Sequence, residues 1–450
     1  MTNSSIAYQE LDQWIEDHFD QQVRFLQSLV QIPTDTPPGN NSPHAQKTAA
    51  LLSDMGLKAE QYVVPSQTVQ HHGLEAITNL IVRQEFTPSG HQACANQQMK
   101  AKKGLTIALN AHGDVVPPGE GWTHNPYGGE IEDGFMYGRA SAVSKSDFST
   151  FTFALRALQH LSEKIAAKEG PLAQASQPEG QVELHFTYDE EFGGELGPGW
   201  LLGEHLTQPD LMIAAGFSYE VVNAHNGCLQ LEVTLRGKMA HAAIPESGVD
   251  ALQAGVHVLG DLFALNAQYK SVLSKVKGIK HPYLNVGQIS GGTNTNVIPG
   301  RVTFKLDRRM IPEENSQEVE TSIRETITKS VDTFNKAHGH QAPVELDIKR
   351  ILLAESMKPQ DGQQPLIKAL QKHAGTIFET DIPVVGTPLY TDVRLYAANG
   401  IPGVIYGAGP KTVLESHAKR ADERLRLEDL KRATRVIART LYDLLSKQAQ

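Results

Sequence analysis

Apolar residues recur along this chain with two distinct periods. Leu11, Ile15, Phe19, Val23, Leu26 and Val30 follow helical spacing and Pro33 comes next, which predicts an amphipathic helix at the start. Ala45, Ala49 and Leu52 predict a second helix that stops at Gly56. Strand-like runs lie near 77–83, 105–110 and 182–188, and between the last two Phe148, Phe151, Leu155 and Leu158 mark a helix over about 147–161. Strands alternating with helices predict a mainly parallel α/β sheet with helices on both faces. The stretches 87–103 and 164–180 show no period and read as exposed insertions.

After Asn223 the rhythm changes. Leu229, Leu231, Val233 and Leu235 alternate with Gln230, Glu232, Thr234 and Arg236, the signature of a half-buried strand. A helix through Val249, Leu252, Val256, Leu259 and Phe263 follows, then strands near 284–290 and 301–307 joined by the turn-forming GGTNTNVIPG. Val319, Ile323, Ile327 and Val331 give another helix, and Val344, Leu346 and Ile348 another strand. The order β-α-β-β-α-β predicts a ferredoxin-like α+β unit over 224–356, inserted into a first domain made of segments 1–223 and 357–450. The last segment returns to α/β alternation: a helix near 364–374, strands near 383–386 and 403–406, and a final helix through Leu430, Ala433, Ile437, Leu441 and Leu444.

With 450 residues, two domains are the natural expectation. A net charge of −10 with scattered Lys and Arg argues against nucleic acid as a partner. No apolar run is long enough to span a membrane, and the polar, acidic opening MTNSSIAYQELDQWIEDHF shows no secretory signal. Cys94 and Cys228 make neither a disulfide framework nor a zinc knuckle. A cytoplasmic location is the simplest expectation.

The chemistry-bearing residues sit where apolar strands end. LTIALNAHGDVVP closes on His112 and Asp114; LHFTYDEEFGGE delivers Glu190 and Glu191 into a Gly-Gly turn; Glu415-Ser416-His417 forms a third element. Strand ends carrying His and Glu suit an open metal site in which one carboxylate holds the ion and another takes a proton from water. Adjacent glutamates are ordinarily a solvated pair, but the apolar strand before them and the glycines after them favour a cleft.

Seven motifs in order carry a family resemblance: NAHGDVVP (110–117), YGR (137–139), YDEEFGG (188–194), RGKMAHAAIPESGVDA (236–251), GGTNTNVIPG (291–300), LDRR (306–309) and ESHAKRADE (415–423). Together they resemble the metallopeptidases and amidohydrolases that include acetylornithine deacetylase, succinyl-diaminopimelate desuccinylase, aminoacylases and glutamate carboxypeptidases. The resemblance implies a zinc-peptidase-like catalytic domain and a lid domain that forms a homodimer. It implies His112, Glu191 and His417 as metal ligands, Asp114 as the acid that orients His112, and Glu190 as general base. It implies His241 as an oxyanion-stabilising lid histidine that reaches a partner subunit's site, and Asn296 and Arg309 as substrate-binding residues, Arg309 clamping a carboxylate. Asp392 and Arg394 also fit a family pattern, with a purely structural role equally open. The cofactor implied is zinc, one or two ions, with manganese or cobalt possible.

The pattern breaks at two places. Two-zinc relatives carry a bridging Asp where this chain has Val143, and an acidic ligand where it has Gly216. Asp147 is a candidate replacement ligand; equally, an acid there suits the first turn of a helix. Two functional readings follow. The first is a metal-dependent hydrolase of an amide bond in a small N-acyl amino acid or dipeptide-like substrate with a carboxylate. The second is a non-catalytic small-molecule-binding homologue that has lost productive metal binding.

Overall fold

The computed structural model describes residues 3–87, 104–339 and 343–446. The chain opens with α1 (Asn3–Asp17), α2 (Phe19–Val30) and α3 (Ser42–Asp54), then β1 (Ala59–Val63), β2 (Thr78–Phe86) and β3 (Thr106–His112). Next come α4 (Lys145–Ala166), β4 (Gly180–Thr187), the short α5 (Pro198–Gly203), β5 (Leu211–Ala214) and β6 (Val221–His225). β7 (Gly227–Arg236), α6 (Ala251–Tyr269), β8 (Tyr283–Gly291), β9 (Arg301–Met310), α7 (Ser316–His338) and β10 (Glu345–Ala354) follow. The chain ends with α8 (Gln364–Phe378), β11 (Val384–Thr387), α9 (Val393–Ala398), β12 (Gly403–Ile405), α10 (Val413–Ser416) and α11 (Leu427–Leu445).

Two compact units result. One holds Met1–Asn223, Pro359–Val384 and Thr391–Gln450; the other holds Ala224–Lys358 and Val385–Tyr390. The first is built on an eight-stranded sheet in the order β1-β2-β4-β3-β5-β12-β6-β11. Its middle is parallel, β4 with β3, β3 with β5 and β5 with β12, while β1, β2 and β6 pair antiparallel. The parallel strands are buried almost throughout, as a sheet covered by helices requires. One apolar core joins them to the surrounding helices: Leu109, Leu184 and Ile213 from the sheet meet Phe151, Leu155 and Leu158 of α4 and Ile437 and Leu441 of α11. No helix among the described residues is long and apolar enough to cross a membrane.

The second unit has a four-stranded antiparallel sheet, β8-β9-β7-β10, with β7 and β9 paired from Gly227–Met310 to Arg236–Arg301. Leu229, Leu231, Val233 and Leu235 all enter its core, with Ala254, Val258 and Leu262 of α6 and Ile323, Ile327 and Val331 of α7. The element order along this unit is β-α-β-β-α-β.

The opening segment differs from expectation. The predicted single helix is two, meeting at His18, whose backbone leaves the helical region at φ −109° and ψ 7°. The His18 ring lies 4.0 Å from that of Trp14 and its Nδ1 bonds the Trp14 carbonyl at 2.8 Å, drawing the chain off the helix axis. Of the two predicted insertions, residues 88–103 lie outside the described residues. The other is only partly exposed, since α4 runs on to Ala166 and a 3-10 turn (Gly170–Gln174) buries Leu172.

Strand β4, which leads to Glu190 and Glu191, carries a buried polar network. Glu183 accepts from Thr207 Oγ1 (2.5 Å), Arg83 Nε (3.1 Å) and the ring of His185 (2.8 Å). Burial alone would raise the Glu183 carboxyl, but His185, Thr207 and Arg83 outweigh it and hold it at about 2. Because the folded value lies below the unfolded one, this stabilisation is present above about pH 4.5 and is lost as pH falls toward 2. Glu183→Gln is expected to lower stability by about 1–3 kcal/mol at pH 7 in urea unfolding and to flatten the acid limb of the stability profile. An unchanged midpoint and acid limb would contradict this role.

Candidate active site

Strands β3 and β4 run side by side with His112 opposite Thr187, and Gly113 N–H donates to the Thr187 carbonyl at 2.8 Å. Residues after both strands therefore emerge at one end of the sheet, the end where open parallel sheets bind ligands. His112 Nδ1 lies 3.1 Å from the Asp114 carbonyl and 3.3 Å from Asp114 Oδ1. Asp114 is fully buried, and its Oδ2 accepts the Glu191 N–H at 2.9 Å. One carboxylate thus orients the His112 ring and fixes the turn after β4. It leaves His112 Nε2 facing Glu190, 3.8 Å from Oε2.

That turn is tightly specified. Asp189 takes φ +153°, its carbonyl accepts from Phe192 (2.8 Å) and Gly194 (3.0 Å), and its carboxylate accepts the Leu196 N–H. Gly194 has φ +74°, and a Cβ there would lie 2.2 Å from Asp392 Oδ1, so no other residue would let Asp392 pack so closely. Arg394 binds the Gly193 carbonyl and lies 3.6 Å from Glu195 Oε1. Here Arg394 anchors the glutamate turn.

The site is rich in carboxylates, and its electrostatics follow from that. Burial alone would lower His112, but Glu190, Asp114 and Glu191 raise it more, to about 10. Burial raises Glu190, His112 and Lys419 lower it, and Glu191 raises it, leaving it at about 6. Burial is also the main reason that Asp189 and Asp392 lie well above the usual carboxylate range.

The sequence-predicted residues meet different fates. His112, Asp114 and Glu190 stand together at the strand ends. Glu191 accepts a hydrogen bond from Lys419 Nζ through Oε2 at 2.6 Å. His417, at the end of α10 in a left-handed conformation (φ 54°), bonds the Ala421 carbonyl through Nδ1 at 3.3 Å. Asp147, expected equally as a replacement ligand and as the acid of a first helical turn, lies completely buried in the first turn of α4, where Oδ1 accepts the Ala408 N–H at 2.7 Å. Burial dominates and raises its carboxyl to about 7, so it ties α4 to the segment after β12. Position 216 is sealed, because a Cβ on Gly216 would lie 2.2 Å from Ile405 Cγ2.

A metal ion is implied by the resemblance, and the side chains as they stand do not fit one. Among the described residues, no group of three or more His, Cys, Asp or Glu could hold a metal ion. Glu191 is engaged by an ammonium, Asp147 by a backbone amide, and positions 143 and 216 offer no donor side chain.

The second unit carries its own candidates. His241 pairs with Val297 in a two-stranded ladder, and the Ala242 N–H donates to the Asn296 carbonyl at 3.0 Å. His241 Nδ1 accepts the Ala243 N–H at 3.0 Å, so in the neutral ring Nε2 carries the proton and is the donor. Arg309 is 2.7 Å from Asp307 through Nε, and the other Asp307 oxygen accepts from Gln230 at 3.0 Å. Neither Lys419 nor Asp189 stood out in the sequence. A lone lysine in a polar loop has no spacing to betray it, whereas the acid immediately before Glu190 sits in the predicted turn and could have been weighed.

A model of peptidase family M20/M25/M40 matches residues 108–443. Succinyl-diaminopimelate desuccinylase of Hydrogenovibrio crunogenus is 28% identical, covering 76% of this chain and 85% of its own. Among solved structures, the dipeptidase Dug1p of Saccharomyces cerevisiae superposes with a TM-score of 0.73 at 15% identity, with all of both chains covered. The Bacillus subtilis YXEP protein, described as a dinuclear metal-binding peptidase, superposes at 0.60 with 14% identity over 96% of this chain and 99% of that one. The non-catalytic alternative finds no support in these comparisons. With its strand-end residues and seven motifs embedded in a family match over three quarters of its length, the chain belongs to peptidase family M20/M25/M40 and is a hydrolytic enzyme.

Proposed function

We propose that the enzyme is a metal-dependent amide hydrolase acting on a small dipeptide-like or N-acyl amino acid substrate that carries a carboxylate. The observation that supports this most directly is the pairing of His112 Nε2 with Glu190 at 3.8 Å above a buried Asp114. Glu190 is the proton carrier: it takes a proton from the attacking water and returns it to the nitrogen of the departing amine. Its partly desolvated setting suits a group that must both accept and release a proton. Asp114 holds the His112 ring. His241, with a proton on Nε2, is the proposed oxyanion donor, and Asn296 and Arg309 are the proposed substrate-binding residues.

Metal dependence rests on kinship, with relatives named as desuccinylase and as a dinuclear metal-binding peptidase. By kinship the residues that would hold the ion are His112, His417 and Glu191, which as they stand do not form a ligand set, Glu191 being bonded to Lys419 through Oε2. Zinc is the proposed ion, with manganese or cobalt as substitutes.

The second unit also presents an unpaired apolar face. On α6, Leu252, Val256 and Phe263 are 42%, 61% and 53% exposed, and β8 is an edge strand with Tyr283 and Ile289 exposed. Helical spacing places the three α6 residues on one stripe, and an open strand edge beside apolar surface is a liability that pairing removes. We place a homodimer interface there.

Three outcomes are expected. Glu190→Gln lowers kcat on a hydrolysable dipeptide or N-acyl amino acid by about 100- to 10,000-fold while substrate affinity changes little; turnover at the wild-type rate removes Glu190 from the mechanism. Protein dialysed against a chelator loses turnover and regains it with zinc, manganese or cobalt, whereas full turnover after stripping contradicts metal dependence. Light scattering after size exclusion finds a wild-type dimer and a Val256→Glu/Phe263→Glu monomer; a monomeric wild type overturns the interface.

A further inference from the structure

Glu191 belongs to a crowd of acids, with Asp114, Asp189, Glu190 and Asp392 close by, and its carboxylate already has a cation. Lys419 Nζ sits 2.6 Å from Glu191 Oε2 and is drawn by Glu190 and Asp114 as well. The Glu191 side chain is only 10% exposed, whereas that of Lys419 is 63% exposed, so a lysine reaching in from the surface meets a largely desolvated oxygen.

The turn that presents Lys419 is fixed on both sides. The Arg420 N–H donates to the His417 carbonyl at 2.8 Å, and the Ala418 N–H donates to Ser416 Oγ at 3.2 Å. Asp422 accepts from Thr123 N (2.9 Å), Thr123 Oγ1 (2.9 Å) and His124 N (3.2 Å), and Glu423 pairs with buried Arg139 at 2.6 Å. Lys419 itself adopts φ +61° between these anchors. The lysine is therefore delivered by an anchored loop.

The donors that a second divalent ion would need beside Glu191 are missing for separate reasons. Val143 is aliphatic, Gly216 is closed off by Ile405, and Asp147 is completely buried with Oδ1 on the Ala408 amide. A divalent ion placed there would have to displace an ammonium, and positions 143 and 216 would add no donor side chain to Glu191.

We infer that Lys419 is the resident counter-cation of the Glu191 carboxylate, taking the position that a second metal ion would require, so that each chain binds no more than one divalent ion. This rests on the metal-dependent reading above and specifies its stoichiometry. Lys419 contributes one fixed positive charge through Oε2 of Glu191.

The test is metal binding by the full chain, read without turnover. Chelator-stripped wild type, Lys419→Met and Lys419→Arg are equilibrated with Zn²⁺ and examined by elemental analysis and titration calorimetry, with circular dichroism confirming that each is folded. Wild type and Lys419→Arg are expected to take up at most one equivalent. Lys419→Met is expected to bind its ion at least about tenfold more tightly than wild type, as removal of one adjacent charge implies, without gaining a second equivalent. Two equivalents in wild type, or a Lys419→Met protein identical to wild type in affinity, overturn the inference. Amine release is assayed separately. A two-ion enzyme that hydrolyses its substrate rejects the role of Lys419 and keeps the proposed function, while a one-ion protein that releases no amine does the reverse.

Discussion

The site depends on a single buried carboxylate shared between two strand ends. Asp114 reaches the His112 ring with one oxygen and the Glu191 backbone amide with the other, so the segment after β3 and the turn after β4 are fixed relative to each other. A neutral side chain there would lose the charge-assisted hydrogen bond and leave Nδ1 of His112 without an acid to face. The approach of Glu190 to His112 rests on those two contacts, an ion-pair distance of 3.3 Å to the ring and a hydrogen bond of 2.9 Å to the turn. The network around Glu183 supports it from behind by fixing the strand that delivers both glutamates.

A cleft that gathers Asp114, Asp189, Glu190, Glu191 and Asp392 must balance its charge. The structure shows three answers: burial that raises the carboxyls of Asp189 and Asp392 well above the usual range, a histidine whose affinity for a proton is raised, and a lysine seated on Glu191. Each reflects the same demand for positive charge in a place of low dielectric.

Much of the fold was legible because burial imposes periods on sequence. The alternation from Leu229 to Leu235 and the stripe from Val319 to Val331 read directly as strand and helix, and both enter the second core. The short strands Ala59–Val63 and Val221–His225 were not marked, since a few residues carry too little periodicity to stand out. The break at His18 was invisible because it depends on a ring stacking on Trp14 and bonding its carbonyl. In the site, His112, Asp114, Glu190 and Glu191 were legible because apolar strands deliver them into turns. The helical first turn that holds Asp147 was legible too, but its partner was not, since that is a backbone amide 261 positions away at Ala408. Lys419 was hidden for a similar reason: its partner Glu191 lies 228 positions away, and no local spacing encodes that pair.

The central claim is that these strand ends cut amide bonds, and the most direct measurement is amine release from a panel of dipeptides and N-acyl amino acids incubated with purified, metal-supplemented wild-type protein. The account predicts catalytic release from at least one carboxylate-bearing member, with multiple turnovers per chain. Tight binding of such compounds without release of any free amine would contradict it.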